Sequence, residues 1–144
     1  MIIDSKSRIR FLALSCYYSM RGRDMKKAVF VCNNPSNINR VYGDGRKEKL
    51  SELSELYPTV ITEDNFDQHV EALRELEVIF STWGMLKLTE QQLELLPNLK
   101  AVFYAAGSVK GFAYPLLNRG ITVVSAWGAN AVPVAEFTLA QILL

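Results

Sequence analysis

The sequence predicts an α/β fold in which helices flank a parallel five-stranded sheet. Short apolar runs without alternation of polar and apolar residues recur along the chain, which is typical of strands buried on both faces. Segments with helical periodicity and breaker residues separate these runs, so successive strands are expected to be joined by right-handed helical crossovers. The predicted strands are residues 28–32, 59–62, 78–81, 101–104 and 121–125.

The first predicted strand ends at Asn33, and the polar segment 36–46 that follows is predicted to be a loop that can line a site. A helix comes next, with apolar side chains on one face and its end at Pro58. These side chains are Leu50, Leu53, Leu56 and Tyr57. Another helix is predicted after Asn65, because Asn65 and Gln68 have the spacing of a capping box.

His69, the only histidine in the sequence, lies beside the apolar stripe of that helix. A catalytic histidine needs a partner and a cleft. The neighbours of His69 are acidic and amide side chains, which indicates a solvated helix flank. We therefore interpret His69 as a structural residue.

Trp83 follows the third predicted strand and is expected at its carboxyl end. Thr89 and Gln92 have the spacing of a second capping box, at the start of a helix that we expect to end at Pro97. The fourth strand then leads into a turn of small residues, 105–111. In open α/β sheets, ligands bind outside the carboxyl ends of the strands. Asn33, Trp83 and Ser108 of this turn are therefore predicted to share one rim of the sheet.

Gly107 and Gly111 make the turn a candidate binding loop. Because glycine has no Cβ, backbone N–H groups can approach an anion closely at these positions. A tight turn without any ligand also explains both glycines, and the local pattern leaves the two interpretations open. A helix is expected after the turn, from Phe112 to a stop at Gly120.

The last segment, residues 132–144, is almost wholly apolar, and Pro133 fits the first turn of a helix. A helix that is apolar on nearly every side must be buried between packed layers or at a subunit interface. No Gly, Asn or basic residue closes the helix before Leu144. We therefore expect the sequence to be truncated within this helix.

The composition predicts a cytoplasmic globular protein. A chain of 144 residues with 49% hydrophobic residues suffices for one domain with a sizeable core. The net charge of +1 argues against nucleic acid as a partner, and no apolar run has the roughly 18 residues needed to span a membrane. Cys16 and Cys32 match neither a metal-binding spacing nor a disulfide framework, so we expect reduced thiols and no metal site.

The first 24 residues differ in character from the rest of the chain. Residues 1–27 carry seven basic and two acidic side chains, a surplus of five positive charges. Met25 stands directly before the first convincing strand, so residues 1–24 are predicted to be a poorly ordered extension outside the fold. A signal peptide is the alternative, although the apolar core is short and no small-residue cleavage site follows it.

The last fifty residues resemble the D-isomer-specific 2-hydroxyacid dehydrogenases, the family of phosphoglycerate dehydrogenase and glyoxylate reductase. Three motifs in fixed order carry the resemblance. They are Leu-Pro-Asn-Leu-Lys at residues 96–100, Arg-Gly-Ile-Thr-Val-Val at 119–124 and Asn-Ala-Val-Pro-Val-Ala-Glu-Phe-Thr-Leu-Ala at 130–140. Before Leu88 the agreement is mainly in the order of elements.

The resemblance implies a flavodoxin-like strand order, 2-1-3-4-5, and a division of the chain. Residues 25–130 correspond to the first part of the family's substrate domain, and residues 131–144 to the start of the helix that leads into a nucleotide-binding domain. The implied reaction is hydride transfer between a small D-2-hydroxy or 2-oxo acid and NAD or NADP. The family's catalytic histidine, glutamate and arginine, and its glycine fingerprint, would lie beyond residue 144. We therefore expect no catalytic residue in this chain and no activity by it alone.

The resemblance also assigns roles at the turn. Alignment on Gly107 makes Ser108 the cofactor-contacting residue, and the backbone of Gly107, Ser108, Val109 and Lys110 is implied to face the substrate carboxylate, with Trp83 nearby. The family usually has a glycine where this sequence has Val109, which narrows access to the backbone. Lys110 either supplies a positive charge to a carboxylate or phosphate, or is a solvated turn residue.

Two classes of function remain open on the sequence. One is a fragment of an oxidoreductase, and the other is a non-catalytic flavodoxin-like module for binding or dimerisation. The apolar segment 131–144 is expected to mediate a homodimer, and the alternative is that this helix detaches and frays.

Overall fold

A computed structural model describes residues 25–144. The predicted extension, residues 1–24, and Cys16 with it lie outside the described residues. The strands are β1 Lys26–Phe30, β2 Ser54–Leu56, β3 Val78–Ser81, β4 Ala101–Tyr104 and β5 Thr122–Ser125. The helices are α1 Pro35–Tyr42, α2 Arg46–Leu53, α3 Phe66–Leu73, α4 Glu90–Glu94, α5 Ala113–Asn118 and α6 Trp127–Leu143.

The five strands form one sheet in the order β2-β1-β3-β4-β5, and all four neighbouring pairs are parallel. This is the flavodoxin-like architecture, with helices in the connections between strands, and the predicted fold class is confirmed. Parallel pairing places the carboxyl ends of all five strands at the same edge of the sheet.

The segment predicted to be a loop, residues 36–46, is mostly helical, so that prediction is wrong. The side chain of Asn34 accepts a hydrogen bond from the N–H of Ser36, and Pro35 opens the helix. An asparagine cap followed by proline is a start signal for a helix as well as a breaker of the preceding strand. The Asn34 cap and Pro35 therefore explain why helix α1 begins here.

The second strand lies earlier in the sequence than predicted, so that prediction is wrong. Residues 59–62 form no strand, although Ile61 makes a single bridge to Val31. The strand is Ser54–Leu56, where Ser54 is in register with Lys26 of β1. Leu56 therefore lies in a strand and not on a helix, because pairing with the sheet overrides a short helical pattern.

Of the two predicted capping boxes, one forms. Thr89 and Gln92 make both reciprocal bonds at the start of α4, although this helix ends at Glu94, before Pro97. Asn65 begins α3 but does not cap it with its side chain. The Asn65 amide accepts from the N–H of Thr62 instead, so it fastens the preceding loop.

The two faces of the sheet are packed differently. Alternating strand residues such as Val29, Ile79 and Val102 lie on one face, in a large core cluster that includes Leu116 of α5. On the other face, Phe30 belongs to a small cluster with buried Cys32 and Ile38 and half-buried residues of α1, α2 and the loops around β2.

Helix α6 begins at Trp127, five residues before the predicted start, so Pro133 is the seventh residue of the helix and not part of its first turn. Its side chains are exposed throughout except for that of Asn130, which is half-buried. Within residues 25–144, no helix is both long and apolar enough to cross a membrane.

Candidate functional site

The candidate site is the rim formed by the carboxyl ends of β1, β3 and β4. Asn33, Trp83 and Ser108 each lie shortly after one of these three neighbouring parallel strands. The prediction that they share one edge of the sheet is therefore confirmed. The physical reason is that parallel strands joined by crossovers return every strand end to the same edge.

The loop after β3 is held in place by the elements beside it. The carbonyl of Trp83 accepts bonds from the Asn37 amide at 2.8 Å and from the Cys32 thiol at 3.2 Å. The N–H of Asn33 donates to the carbonyl of Gly84 at 2.8 Å. Gly84 has φ = 100°, which disfavours any side chain there. These contacts fix the Trp83 backbone while its indole stays 46% exposed at the rim.

Cys32 plays a structural part in this rim. Its side chain is fully buried, and burial raises the pKa of the thiol. A thiol with a raised pKa is a poor nucleophile because little thiolate is present. This agrees with the prediction of a reduced, structural cysteine.

The loop after β4 is fastened through its first residues. The hydroxyl of Thr82 donates to the carbonyl of Ala105 at 3.2 Å, and that of Ser125 donates to the carbonyls of Ala106 at 3.0 Å and Gly107 at 2.5 Å. The N–H groups of residues 106–111 donate none of the backbone hydrogen bonds found among residues 25–144. The first three carbonyls of the loop are thus occupied, and a series of N–H donors is left for a ligand or water.

The side chain of Asn130 packs against Gly107. A Cβ at Gly107 would lie 2.9 Å from Asn130 Nδ2, which is closer than side-chain atoms normally approach. The first turn of α6 is thereby packed against the loop. Gly111 has no atom within 4 Å of its missing Cβ and no positive φ, so neither crowding nor backbone strain requires glycine there.

The other predicted site residues differ in their surroundings. Ser108 is exposed, and its hydroxyl makes no hydrogen bond within residues 25–144. Val109 packs its side chain against the core cluster, so it can offer a ligand only its backbone. Lys110 is exposed, and the described part of the chain gives it no ion pair. The loop thus presents the positive charge of Lys110 and its backbone N–H donors on a surface that is open to solvent.

A cleft at this edge of the sheet lies beside the predicted residues and not among them. It has a volume of about 380 Å³ and is lined by Asn33, Glu63, Met85, Leu86, Lys87, Thr89 and Gln92. Asn33 and Glu63 join its two sides, since the N–H of Glu63 donates to Asn33 Oδ1 at 2.9 Å. The cleft borders the loop of Trp83 but does not include residues 107–110.

His69 is half-buried and has a partner, which differs from the solvated flank that was predicted. Its Nδ1 lies 3.0 Å from the Tyr57 hydroxyl, and the two rings meet edge to face with centroids 5.7 Å apart. His69 is on α3 and does not line the cleft at the rim.

Sequence reasoning missed the residues that build the rim. Thr82 is fully buried, and Ser125 and Asn130 are half-buried against the loop. The available signal was a hydroxyl residue at the end of a predicted apolar strand, where it can satisfy loop carbonyls.

The comparisons with known proteins bear on the fold and on the resemblance. No family model and no curated protein matches the sequence. Among solved structures, the chain is similar to that of a phosphoglycerate oxidoreductase from Vibrio cholerae O395, with 25% sequence identity and a TM-score of 0.50. The match covers 70% of this chain and 31% of that chain, so this chain spans about a third of the length of its solved neighbour. A neighbour that is an oxidoreductase supports, at this coarse level, the resemblance to 2-hydroxyacid dehydrogenases.

Proposed function

We propose that residues 25–130 are the first part of the substrate domain of an NAD(P)-dependent oxidoreductase that acts on a D-2-hydroxy or 2-oxo acid. The chain contributes half of the site, namely the loop of Gly107, Ser108, Val109 and Lys110 with Trp83 beside it. The remaining catalytic groups are supplied from outside these residues.

The observation that carries the proposal is the unused N–H groups of residues 106–111 in the loop after β4, which lies between β3 and β5. A carboxylate is recognised well by several convergent N–H donors and a nearby cation. Lys110 provides the cation on the same loop. The resemblance in sequence and the oxidoreductase neighbour point to the same class of ligand.

In this proposal the residues of the chain bind and orient the acid and do not transfer its proton. The loop N–H groups hold the carboxylate, and the exposed indole of Trp83 covers the adjoining apolar part of the molecule. The exposed Ser108, whose hydroxyl is unbonded within residues 25–144, fits a contact to a nicotinamide nucleotide, which supplies the hydride when bound.

The binding half of the proposal is tested by titrating ¹⁵N-labelled chain with glyoxylate and following the amide signals. Shifts are expected at residues 106–111 and at the Trp83 indole, with weak, millimolar affinity because only half of the site is present. Lys110→Ala should weaken binding several-fold, whereas Lys87→Ala, a lysine at the neighbouring cleft, should not. Equal shifts with sodium chloride, or shifts confined to the cleft of Lys87, would contradict the proposal.

The catalytic half is tested by mixing the chain with NADH or NADPH and a panel of 2-oxo acids. We expect no nicotinamide oxidation above that in buffer, because no group of this chain is proposed to move the proton. Turnover that is lost in His69→Ala would assign the proton transfer to His69 and overturn its structural interpretation.

A second candidate is a non-catalytic flavodoxin-like module that binds or dimerises. The specific observation in its favour is the exposure of the apolar side chains of helix α6. A chain that dimerises and shows no response to 2-oxo acids would favour this second function.

A further inference from the structure

The cleft beside the loop of Trp83 carries side chains of both charges. Its volume of about 380 Å³ lies within the roughly 300–1,000 Å³ that small-molecule sites occupy. Glu63 and Lys87 are the two charged residues that line it. None of residues 106–111 lines it, so the carboxylate loop of the proposed function does not account for this cleft.

The two charges of the cleft are not used by the fold. Glu63 and Lys87 are exposed, and neither forms an ion pair with the other or with any other residue in the range 25–144. The Glu63 carboxylate has one weak contact in this range, at 3.5 Å from Asn33 Nδ2. Two opposite charges that line one cleft without pairing can both be met by a single ligand that carries the complementary charges.

Hydrogen-bond donors accompany Lys87 in the cleft. Thr89 and Gln92 line it too, and the capping box of α4 fixes both side chains. In that box the Thr89 hydroxyl oxygen and the Gln92 side-chain oxygen are acceptors. The hydroxyl hydrogen of Thr89 and the amide NH₂ group of Gln92 are therefore left to donate. Together with the Lys87 ammonium group, they form a set of donors that suits a carboxylate.

The Glu63 side of the cleft presents an acceptor instead. The N–H of Glu63 donates to Asn33 Oδ1 at 2.9 Å, which anchors the backbone and leaves the carboxylate for a ligand. An ammonium group has three donors and no acceptor, so it is the natural partner of this carboxylate. Met85 and Leu86, both nearly buried, add an apolar part to the lining.

We propose that this cleft binds a free α-amino acid. The carboxylate of the ligand is bound by Lys87, Thr89 and Gln92. Its ammonium group is bound by Glu63, and its side chain packs on Met85 and Leu86. The ligand has no net charge, and neither has the pair of Glu63 and Lys87, so no charge is left uncompensated. A simple 2-oxo acid lacks the ammonium group and is repelled by the Glu63 carboxylate, so it binds more weakly here.

The first test varies the ligand. The ¹⁵N-labelled full chain is titrated with glycine, L-methionine and L-glutamine, and saturable shifts are expected at the amides of Glu63, residues 85–87 and the Gln92 side chain. The tightest of the three is then compared with its N-acetyl derivative, which lacks the ammonium group, and its carboxamide, which lacks the carboxylate. Each derivative should have a dissociation constant at least about fivefold higher, the size expected for the loss of one exposed ion pair.

The second test varies the protein. Glu63→Gln and Lys87→Gln should each weaken binding of the amino acid about fivefold, and circular dichroism shows that the fold is kept. Asp64→Asn is the matched control for Glu63→Gln, because Asp64 is exposed and adjacent but does not line the cleft. In Glu63→Gln the amino acid and its N-acetyl derivative should bind about equally, which assigns the ammonium group to Glu63.

Lys110→Ala separates this proposal from the proposed function. It should leave amino-acid binding unchanged while it weakens the binding of glyoxylate, and Lys87→Gln should do the reverse. Each proposal can therefore fail without the other.

Three results would overturn the amino-acid site. One is the lack of a saturable response to any of the three amino acids. Another is an N-acetyl derivative that binds the unmodified chain as tightly as the amino acid, which means that the cleft does not recognise the ammonium group. The third is a response confined to residues 106–111 and lost in Lys110→Ala, which would assign the carboxylate of the amino acid to the loop after β4.

Discussion

The two halves of the sheet differ in how completely they are buried. Around β1 and β3, Val29 and Ile79 are fully buried on one face and Phe30 is covered by Ile38 on the other. Around β4 and β5, Val102 is buried on one face whereas Phe103 is 40% exposed on the other. The first half is thus covered on both faces, whereas the second half is covered on one face and carries the candidate binding loop.

The largest expected effect comes from removing the cover of the first half. Ile38→Ala should lower the free energy of unfolding by about 2–5 kcal/mol, because Ile38 is fully buried and its truncation leaves a cavity. Val124→Ala, in β5 and 43% exposed, should cost less than about 0.5 kcal/mol. Urea denaturation at low protein concentration measures both. Similar losses in the two variants would mean that the halves are equally buried in solution.

The fold was predictable because its dominant signals are local and apolar. The strands of residues 78–81 and 101–104 were predicted with the bounds observed, since nothing competes with a short apolar run between breakers. The second strand was misplaced, because Ser54–Leu56 has no strand pattern and is selected by its pairing with β1. Strand order came from the resemblance, since periodicity does not encode which strands are neighbours.

The next largest effect is on the pH dependence of stability, and it concerns the half of the sheet around β1 and β3. Burial raises the pKa of Tyr42 from 10.0 to about 12. The folded state therefore holds this proton more tightly than the unfolded state. The contribution of Tyr42 to the free energy of unfolding is complete below about pH 10. As the pH rises toward 12, about 2 kcal/mol of this contribution is lost.

Tyr42→Phe isolates this contribution from those of other groups that titrate at high pH. The variant should be less stable at neutral pH, because it loses the 2.9 Å bond to Ser81, and should lose less stability than the unmodified chain between pH 10 and 12. Urea midpoints measured at several pH values give the two curves. Parallel curves would show that Tyr42 is not buried as described.

The candidate site was predictable in its location but not in its construction. Gly107 and Ser108 were located by the rule that strand ends of a parallel sheet share one rim. The contact between Gly107 and Asn130 joins residues 23 positions apart through the packing of α6 on the loop, which no local pattern contains. The cleft beside Asn33 and Glu63 likewise depends on two loops that meet only in the fold.

The smallest expected effect is in the loop after β4, in the second half of the sheet. Gly107→Ala should cost less than about 1 kcal/mol, because its Cβ would lie 2.9 Å from Asn130 Nδ2, the end of a side chain that can move. Gly111→Ala is the matched control and should be neutral within about 0.5 kcal/mol, since nothing lies within 4 Å of the added methyl group. Asn130→Ala should remove the cost of Gly107→Ala, so a double-mutant cycle gives a coupling energy that is absent for the pair Gly111 and Asn130. If the two glycine variants behave alike in both backgrounds, the first turn of α6 does not pack on the loop.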